Sequence, residues 1–348
     1  MAVPVVNPKQ LIELLTAMIA KRAPLLITGK PGVGKTDLAR YVAVDLCQND
    51  FIVTHPVVED PTDRKGIPWP DANTLSCLWL TDDITKQLCT ATKPTVWLIE
   101  DLGQSSPAVQ AVHMQWLLNR GVNGHKLSPF VTVIAATNRR TDRAGVAGIL
   151  ESVKSRFKSI VDLEPDLDSW CEWGINHGVS YTLIAFLRFK PDLLCAFEAT
   201  ADLTNSPVPR TWANLADLET MNLSPAVESI AFSGAVGEGA AVEYIAFRKM
   251  ANSLANLDAI LLDPTHAPIP KKPDELYATV TGLASRANES NFDRIVTYAQ
   301  RIYGEADRGE YAALCIRDSQ RRNIKVAYTN AYTKMQVSPL GQLLHGKS

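Results

Sequence analysis

"LLITGKPGVGKTDLARYVAVDL", Leu25 to Leu46, is the stretch that decides the fold. Pro24 to Thr28 is a short apolar run suited to a buried strand. A glycine-rich turn follows. From Lys35 to Cys47, Leu38, Tyr41, Val42 and Leu46 recur at helical spacing. Across this strand–turn–helix unit, Gly29, Gly34, Lys35 and Thr36 fit the phosphate-loop pattern G-x-x-x-x-G-K-[ST]. Glycines let backbone N–H groups converge on phosphate oxygens, and the helix that follows offers its positive end. The turn as a whole, Gly29, Pro31, Gly32, Val33, Gly34, Lys35, Thr36 and Asp37, is expected to bind nucleotide. Lys35 would reach the terminal phosphates and the Thr36 hydroxyl would ligate magnesium. The alternative is a chance glycine turn, and the strand and helix on either side argue against it.

Outward from this unit, buried runs alternate with helical ones. Phe51 to His55, Thr95 to Asp101, Phe130 to Asn138 and Ser159 to Leu163 read as strands, and Gln10 to Lys21 and Ser105 to Arg120 as helices. Asp60 to Asn73, "DPTDRKGIPWPDAN", reads as a loop. Such alternation predicts a parallel sheet covered on both faces. After about Glu164, helical spacing takes over, as in Phe292, Ile295, Val296, Ala299 and Ile302, and Asp263 to Glu275 reads as a linker. The expectation is an α/β domain over 1–164, a helical domain over 165–262 and a helical C-terminal extension over 263–348.

Four further elements carry chemistry. Glu100 and Asp101 close the apolar run "VWLIED". One acid there can hold a magnesium hydration shell while the next polarises an attacking water; a solvated strand rim is the plain alternative. Asn138 ends "VIAATN" and can orient that water or touch the γ-phosphate, or it is a turn residue. Arg156, in "SRF", can project across a subunit boundary to stabilise charge on a transferred phosphoryl group, with Arg139, Arg140 and Arg143 as competitors. Arg210, at the start of a helix in "SPVPRTWANLADL", can reach back to the γ-phosphate.

Composition sets bounds on the rest. The 348 residues carry 35 basic and 37 acidic side chains, a formal net charge of −2, which gives no global pull toward nucleic acid or anionic membrane. Six scattered cysteines without a C-x-x-C pair read as reduced, buried thiols of a cytoplasmic chain. No export signal is evident at the N-terminus, and no apolar run approaches a membrane span.

Taken together, these motifs resemble the AAA+ ATPases, in particular the MoxR-like branch and its bacteriophage and prophage members. "VWLIEDLGQSSPAVQAVHMQWLLNR" is similar to that branch's acidic motif and following helix, "AATNRR" to its sensor 1, "SRF" to its arginine finger, "PRTW" to its sensor 2, and "DPTDRKG" to its segment after the second strand. The resemblance spans roughly residues 8–220. It implies a P-loop AAA+ sheet domain with a helical lid, ATP and Mg²⁺ as cofactors, and a homo-oligomeric ring, usually a hexamer. It also implies chaperone-like remodelling of a protein client, with a von Willebrand factor A-domain partner supplied in trans. The family writes its acidic pair Asp-Glu, whereas this chain writes Glu100-Asp101. By position Glu100 takes the metal role and Asp101 the base role, and the shorter Asp implies slower hydrolysis. A weakly hydrolysing structural ring is therefore one alternative. A nucleic-acid motor is another, motivated by the basic stretch Arg317 to Lys334, whose Tyr328 and Tyr332 otherwise read as a partly buried pair. Trp69, between prolines, either packs on its own domain or anchors a client or partner.

Overall fold

In the computed structural model, residues 3–344 are described except 72, 74, 143–147, 201, 254–256 and 306–307. The chain divides into two compact units, residues 1–166 with 197–201, and residues 167–196 with 202–348.

The first unit is built on β2 (Leu25–Gly29), after a short β1 (Val5–Val6) and α1 (Pro8–Ala20). Asn7 caps α1, its side chain accepting from the Gln10 N–H while Gln10 reciprocates. The phosphate-loop turn leads into α2 (Lys35–Arg40), then β3 (Asp50–Thr54) and α3 (Pro61–Lys65). A hairpin of β4 (Ile67–Asp71) and β5 (Ser76–Leu80) comes next, followed by α4 (Asp83–Thr90). The remaining elements are β6 (Thr95–Ile99), α5 (Pro107–Asn119), the small pair β7 (Gly121–Val122) and β8 (His125–Lys126), β9 (Val131–Thr137), α6 (Glu151–Lys154) and β10 (Ser159–Leu163).

Six strands form one parallel sheet in the order β1-β10-β2-β9-β6-β3. Every residue of β6 and β9 is buried, so neither strand alternates in polarity, as expected for a sheet covered on both faces. Trp97 of β6 is fully buried; its indole N–H donates to the Thr54 hydroxyl at 2.9 Å, and its ring meets Trp116 of α5 edge to face. Ser106 caps α5 by accepting from the Val109 N–H, with Pro107 in its first turn. This is the P-loop α/β sheet domain, followed by helices, that the sequence predicts.

Three expectations are corrected. The helix after the phosphate loop holds α geometry only to Arg40; Tyr41–Leu46 is π-helical, which rotates Tyr41, Val44 and Leu46 to the surface and leaves Val42 and Ala43 buried. Asp60 to Asn73 is not a loop. Asp60 caps α3, and β4 then pairs antiparallel with β5. Of its three prolines, Pro61 opens α3, and Pro68 and Pro70 fit the unpaired edge of β4. Finally, all six cysteines are free, yet only Cys171 and Cys315 are buried and Cys77 is exposed.

The root of the hairpin is a buried charged network. Glu59 accepts from Arg64 Nε at 2.9 Å and Nη2 at 2.8 Å, and from His113 Nε2 at 3.1 Å; Arg64 Nη1 donates to Asp82 at 2.8 Å. Burial opposes the Glu59 charge, but the bonds from His113 and Arg64 outweigh it and hold its carboxyl below the usual range. Burial likewise pushes the His113 imidazole down, so it is neutral and donates through Nε2.

The second unit is helical: α7 (Leu167–Asn176), α8 (Tyr181–Phe189), α9 (Pro209–Glu219), α10 (Pro225–Val236), α11 (Glu238–Ser253), α12 (Leu257–Leu262), α13 (Pro273–Ser285), α14 (Phe292–Tyr303) and α15 (Gly309–Arg322) lead to two short terminal helices. It holds two apolar clusters, one around Phe186, Trp212, Phe232 and Tyr244 and one around Val280, Phe292, Ile295 and Ile316. A buried ion pair, Arg188 of α8 with Asp318 of α15, bridges the two clusters.

Candidate nucleotide site

The site lies on the C-terminal edge of the sheet, where β2, β9 and β6 end side by side. Gly29 pairs with Leu163, Thr28 with Thr137 and Ile99 with Ala135, so the phosphate loop, Asn138 and the acidic pair follow three adjoining strands. The turn needs its glycines. Gly32 and Gly34 have φ of 74° and 95°, in the left-handed region. A Cβ at Gly29 would sit 2.8 Å from the Leu163 carbonyl oxygen. The same Cβ would also crowd the buried Val33 side chain at 3.3 Å.

Two short chains of hydrogen bonds connect the elements. Lys35 is buried, and its Nζ donates to the Gly29 and Lys30 carbonyls at 2.9 Å each and to Asn138 Oδ1 at 2.8 Å. The Asn138 amide in turn donates through Nδ2 to Asp101 Oδ1 at 3.3 Å. Separately, the Thr36 hydroxyl donates to Glu100 Oε1. Glu100 is tied to the sheet by its backbone, whose N–H donates to the Thr54 carbonyl at 2.8 Å. Asp101 has φ 53°, a left-handed conformation that Asp tolerates better than most residues. That turn sends the two adjacent acids to different partners, one to the loop threonine and one to Asn138.

This donor set suits ATP and Mg²⁺. The ammonium of Lys35 is placed beside the glycine-lined turn, where a phosphate chain would lie. Thr36 and Glu100 offer a hydroxyl and a carboxylate oxygen already in contact, hard donors of the type magnesium takes. Among the described residues no group of three or more His, Cys, Asp or Glu side chains could cage a metal. A magnesium held by one carboxylate and one hydroxyl would complete its shell with water and phosphate oxygens.

No family model matches the chain, and no curated protein matches it. Solved structures do show likeness. The RuvB Holliday junction branch migration motor of Thermotoga maritima is 18% identical with a TM-score of 0.38, over 79% of this chain and 80% of that one. NtrX from Brucella abortus in complex with ATP is 10% identical with a TM-score of 0.34, over 92% of this chain and 69% of that one. TM-scores so far below 0.5 carry no argument about the site.

The remaining sequence-derived residues stand apart from these bonded chains. Asp37 lies in the first turn of α2, and Pro31 in the loop itself. Arg156 follows α6, half-buried, and its Nε is enclosed without a hydrogen-bond partner. Of its competitors, Arg139 is occupied by Asp162 and Glu164, Arg140 is exposed, and Arg143 lies outside the described residues. Arg210 begins α9 in the second unit. Of the two tyrosines in the basic C-terminal stretch, Tyr332 is partly buried and bonded to Gln320, whereas Tyr328 is 82% exposed, so the two do not form a buried pair. The Glu59–Arg64–His113 network was missed altogether. Glu59 and Arg64 lie five residues apart, but His113 is 54 residues from Glu59, and no local pattern records that they meet.

Proposed function

We propose that this chain is a Mg²⁺-dependent AAA+ ATPase of MoxR type that assembles into a ring, hexameric by resemblance, and remodels a protein partner. The observation that carries this reading is the continuous contact Lys35–Asn138–Asp101 beside Thr36–Glu100, which unites three motifs widely separated in sequence. ATP with Mg²⁺ supplies the electrophilic γ-phosphate and neutralises its charge. Lys35 binds the terminal phosphates. Asp101 accepts a proton from water, and Asn138 fixes the carboxylate that does so. Thr36 and Glu100 would hold the metal shell, and their contact supports the metal role for Glu100 despite the inverted order of the pair.

Arg156 is the proposed finger, because Arg139 is occupied by two acids. Arg210 is the proposed link between nucleotide state and the helical part. The lid at 165–262 and the extension at 263–348 remain the proposed division of the second unit, supported by its two apolar clusters. The candidate partners are further copies of the chain and a protein client, with a von Willebrand factor A-domain protein by resemblance. No helix among the described residues is long and apolar enough to cross a membrane. The proposed compartment is the cytoplasm.

Calorimetric ATP binding and phosphate release, measured with Mg²⁺ and with chelator, test the core of the reading. Addition of DNA tests the nucleic-acid motor. Mixing Arg156→Ala with Lys35→Ala protein should restore part of the activity, because some interfaces regain both parts. No recovery in mixed rings of demonstrated composition would assign the finger to another arginine.

A further inference from the structure

Arg139 follows Asn138 directly and takes no part in the chemistry proposed above. Its guanidinium is nonetheless firmly engaged. Nε donates to Asp162 Oδ1 at 2.9 Å, Nη2 lies 2.6 Å from Asp162 Oδ2, and Nη2 also donates to Glu164. The first two contacts make the fork that a guanidinium can form with a carboxylate and an ammonium cannot. The Arg139 and Asp162 side chains are only 20% and 14% exposed, so water screens this pair less than it would a surface ion pair.

The acids belong to β10 and its end, and β10 does not adjoin β9. The strand order β10-β2-β9 puts β2 between them. With neighbouring strands about 4.8 Å apart, the ion pair closes a gap of about 10 Å across the strand that opens into the phosphate loop. Its acceptors stand on fixed backbone. Asp162 pairs with Val5 on one side and Thr28 on the other, and the Asp162 and Glu164 N–H groups donate to the Pro4 and Val6 carbonyls at 2.8 and 3.0 Å.

Asn138 needs such an anchor. The ladder between β2 and β9 ends at Thr28 with Thr137, so Asn138 stands one residue beyond the sheet. Yet its amide meets two groups at once, Lys35 at Oδ1 and Asp101 at Nδ2. The bond to Asp101 is 3.3 Å, longer than the usual N–H···O bond, and a small shift of the backbone at 138 would break it first. The sheet holds this residue on one side through Thr137. The ion pair holds it on the other through Arg139.

We propose that Arg139 is a positioning residue of the ATPase site: clamped to Asp162 and Glu164, it holds Asn138 against Asp101, the carboxylate that accepts the proton from water. This role rests on the ATPase reading above. Arg139 acts through Asn138 rather than on ATP, so it governs turnover and not nucleotide affinity.

The test uses the full chain. Turnover, KM and affinity for a non-hydrolysable ATP analogue are measured for wild type, Arg139→Ala, Arg139→Lys and Asn138→Ala, and for each Arg139 change combined with Asn138→Ala. We expect Arg139→Ala to lower kcat by roughly 10–100-fold, the cost of a small misplacement, with KM and analogue affinity within about twofold of wild type. Lys keeps the charge but not the fork and should recover part of the loss. In the Asn138→Ala background neither Arg139 change should lower kcat further, because the group they act through is gone. A merely structural role would multiply the two losses. Full kcat in Arg139→Ala, or an undiminished further loss on top of Asn138→Ala, overturns the proposal. If Arg139→Ala fails to fold, Arg139→Gln takes its place in both backgrounds and is read by the same comparison. A wild type that turns over no ATP overturns the proposed function and this role with it, whereas an active wild type indifferent to Arg139 overturns this role alone.

Discussion

Two polar networks lie in the same unit, and they are built differently. The network at the phosphate loop is a set of single bonds: one from Lys35 to Asn138, one from Asn138 to Asp101, one from Thr36 to Glu100. Except for Lys35, its residues remain half-exposed, with lone pairs to spare. The network at the hairpin root is nearly closed, with only His113 Nδ1 buried and without a hydrogen-bond partner. Glu59 uses both carboxylate oxygens, Arg64 uses all three nitrogens, and both side chains are 6% exposed. Groups that must accept a ligand keep capacity for it, whereas groups that hold a fold consume theirs on each other. A buried charge belongs to one class or the other according to how its bonds are distributed.

Mutations should separate the two networks, and the largest effect belongs to the open one. Asp101→Asn should lower ATP turnover by roughly 10²–10⁴-fold, the usual range for a lost general base, with ATP affinity and melting temperature little changed. A variant with full turnover in a phosphate-release assay would move the base elsewhere. In the closed network, Arg64→Met strands Glu59 and Asp82 and should cost about 3–5 kcal/mol of stability by denaturant titration. The folded fraction should still bind ATP normally. If binding fell while stability held, the two networks would not be distinct.

Lys35→Ala should weaken ATP binding by about 2–3 kcal/mol, the value of charge-assisted bonds, with no matching loss of fold. Calorimetry at constant ionic strength measures it. The smallest effect is in pH. His113 is depressed in the folded state, so below about pH 6.5 the unfolded chain binds more protons and stability falls, by at most about 1.4 kcal/mol per pH unit. The stabilisation is fully present above that pH and is lost as pH drops toward the folded value. Glu59, also depressed, adds loss in the same direction once pH falls below the ordinary carboxylate range. A His113→Gln variant should flatten the slope between pH 5 and pH 6.5 in thermal melts, and an unchanged slope would remove His113 from the account.

Much of the nucleotide site is legible in the sequence because each part is a local pattern. A glycine turn between an apolar run and a helix, two acids closing another apolar run, and a polar residue closing a third all declare themselves within a few residues. Other features are legible only in part. The helix at Lys35 is evident, but its π-helical continuation from Tyr41 is not, since one extra residue per turn leaves no mark in composition. In "IPWPDAN" the prolines indicate a loop, and only the pairing with Ser76–Leu80 shows that they occupy a free strand edge.

The sequence by itself therefore determined the phosphate loop, five strands of the main sheet with the helices that flank the phosphate loop and the acidic pair, and which polar residues end buried strands. These follow from backbone sterics, side-chain periodicity and the need to bury apolar runs, all of which act over short separations. Tertiary structure alone decided that β2 lies between β10 and β9, and so that Asn138 stands between Lys35 and Asp101. It also brought Glu59, Arg64, Asp82 and His113 into one buried cluster. The physical reason is that strand order and long-range ion pairing are fixed by packing between segments distant in sequence, and no local pattern records which of those segments meet.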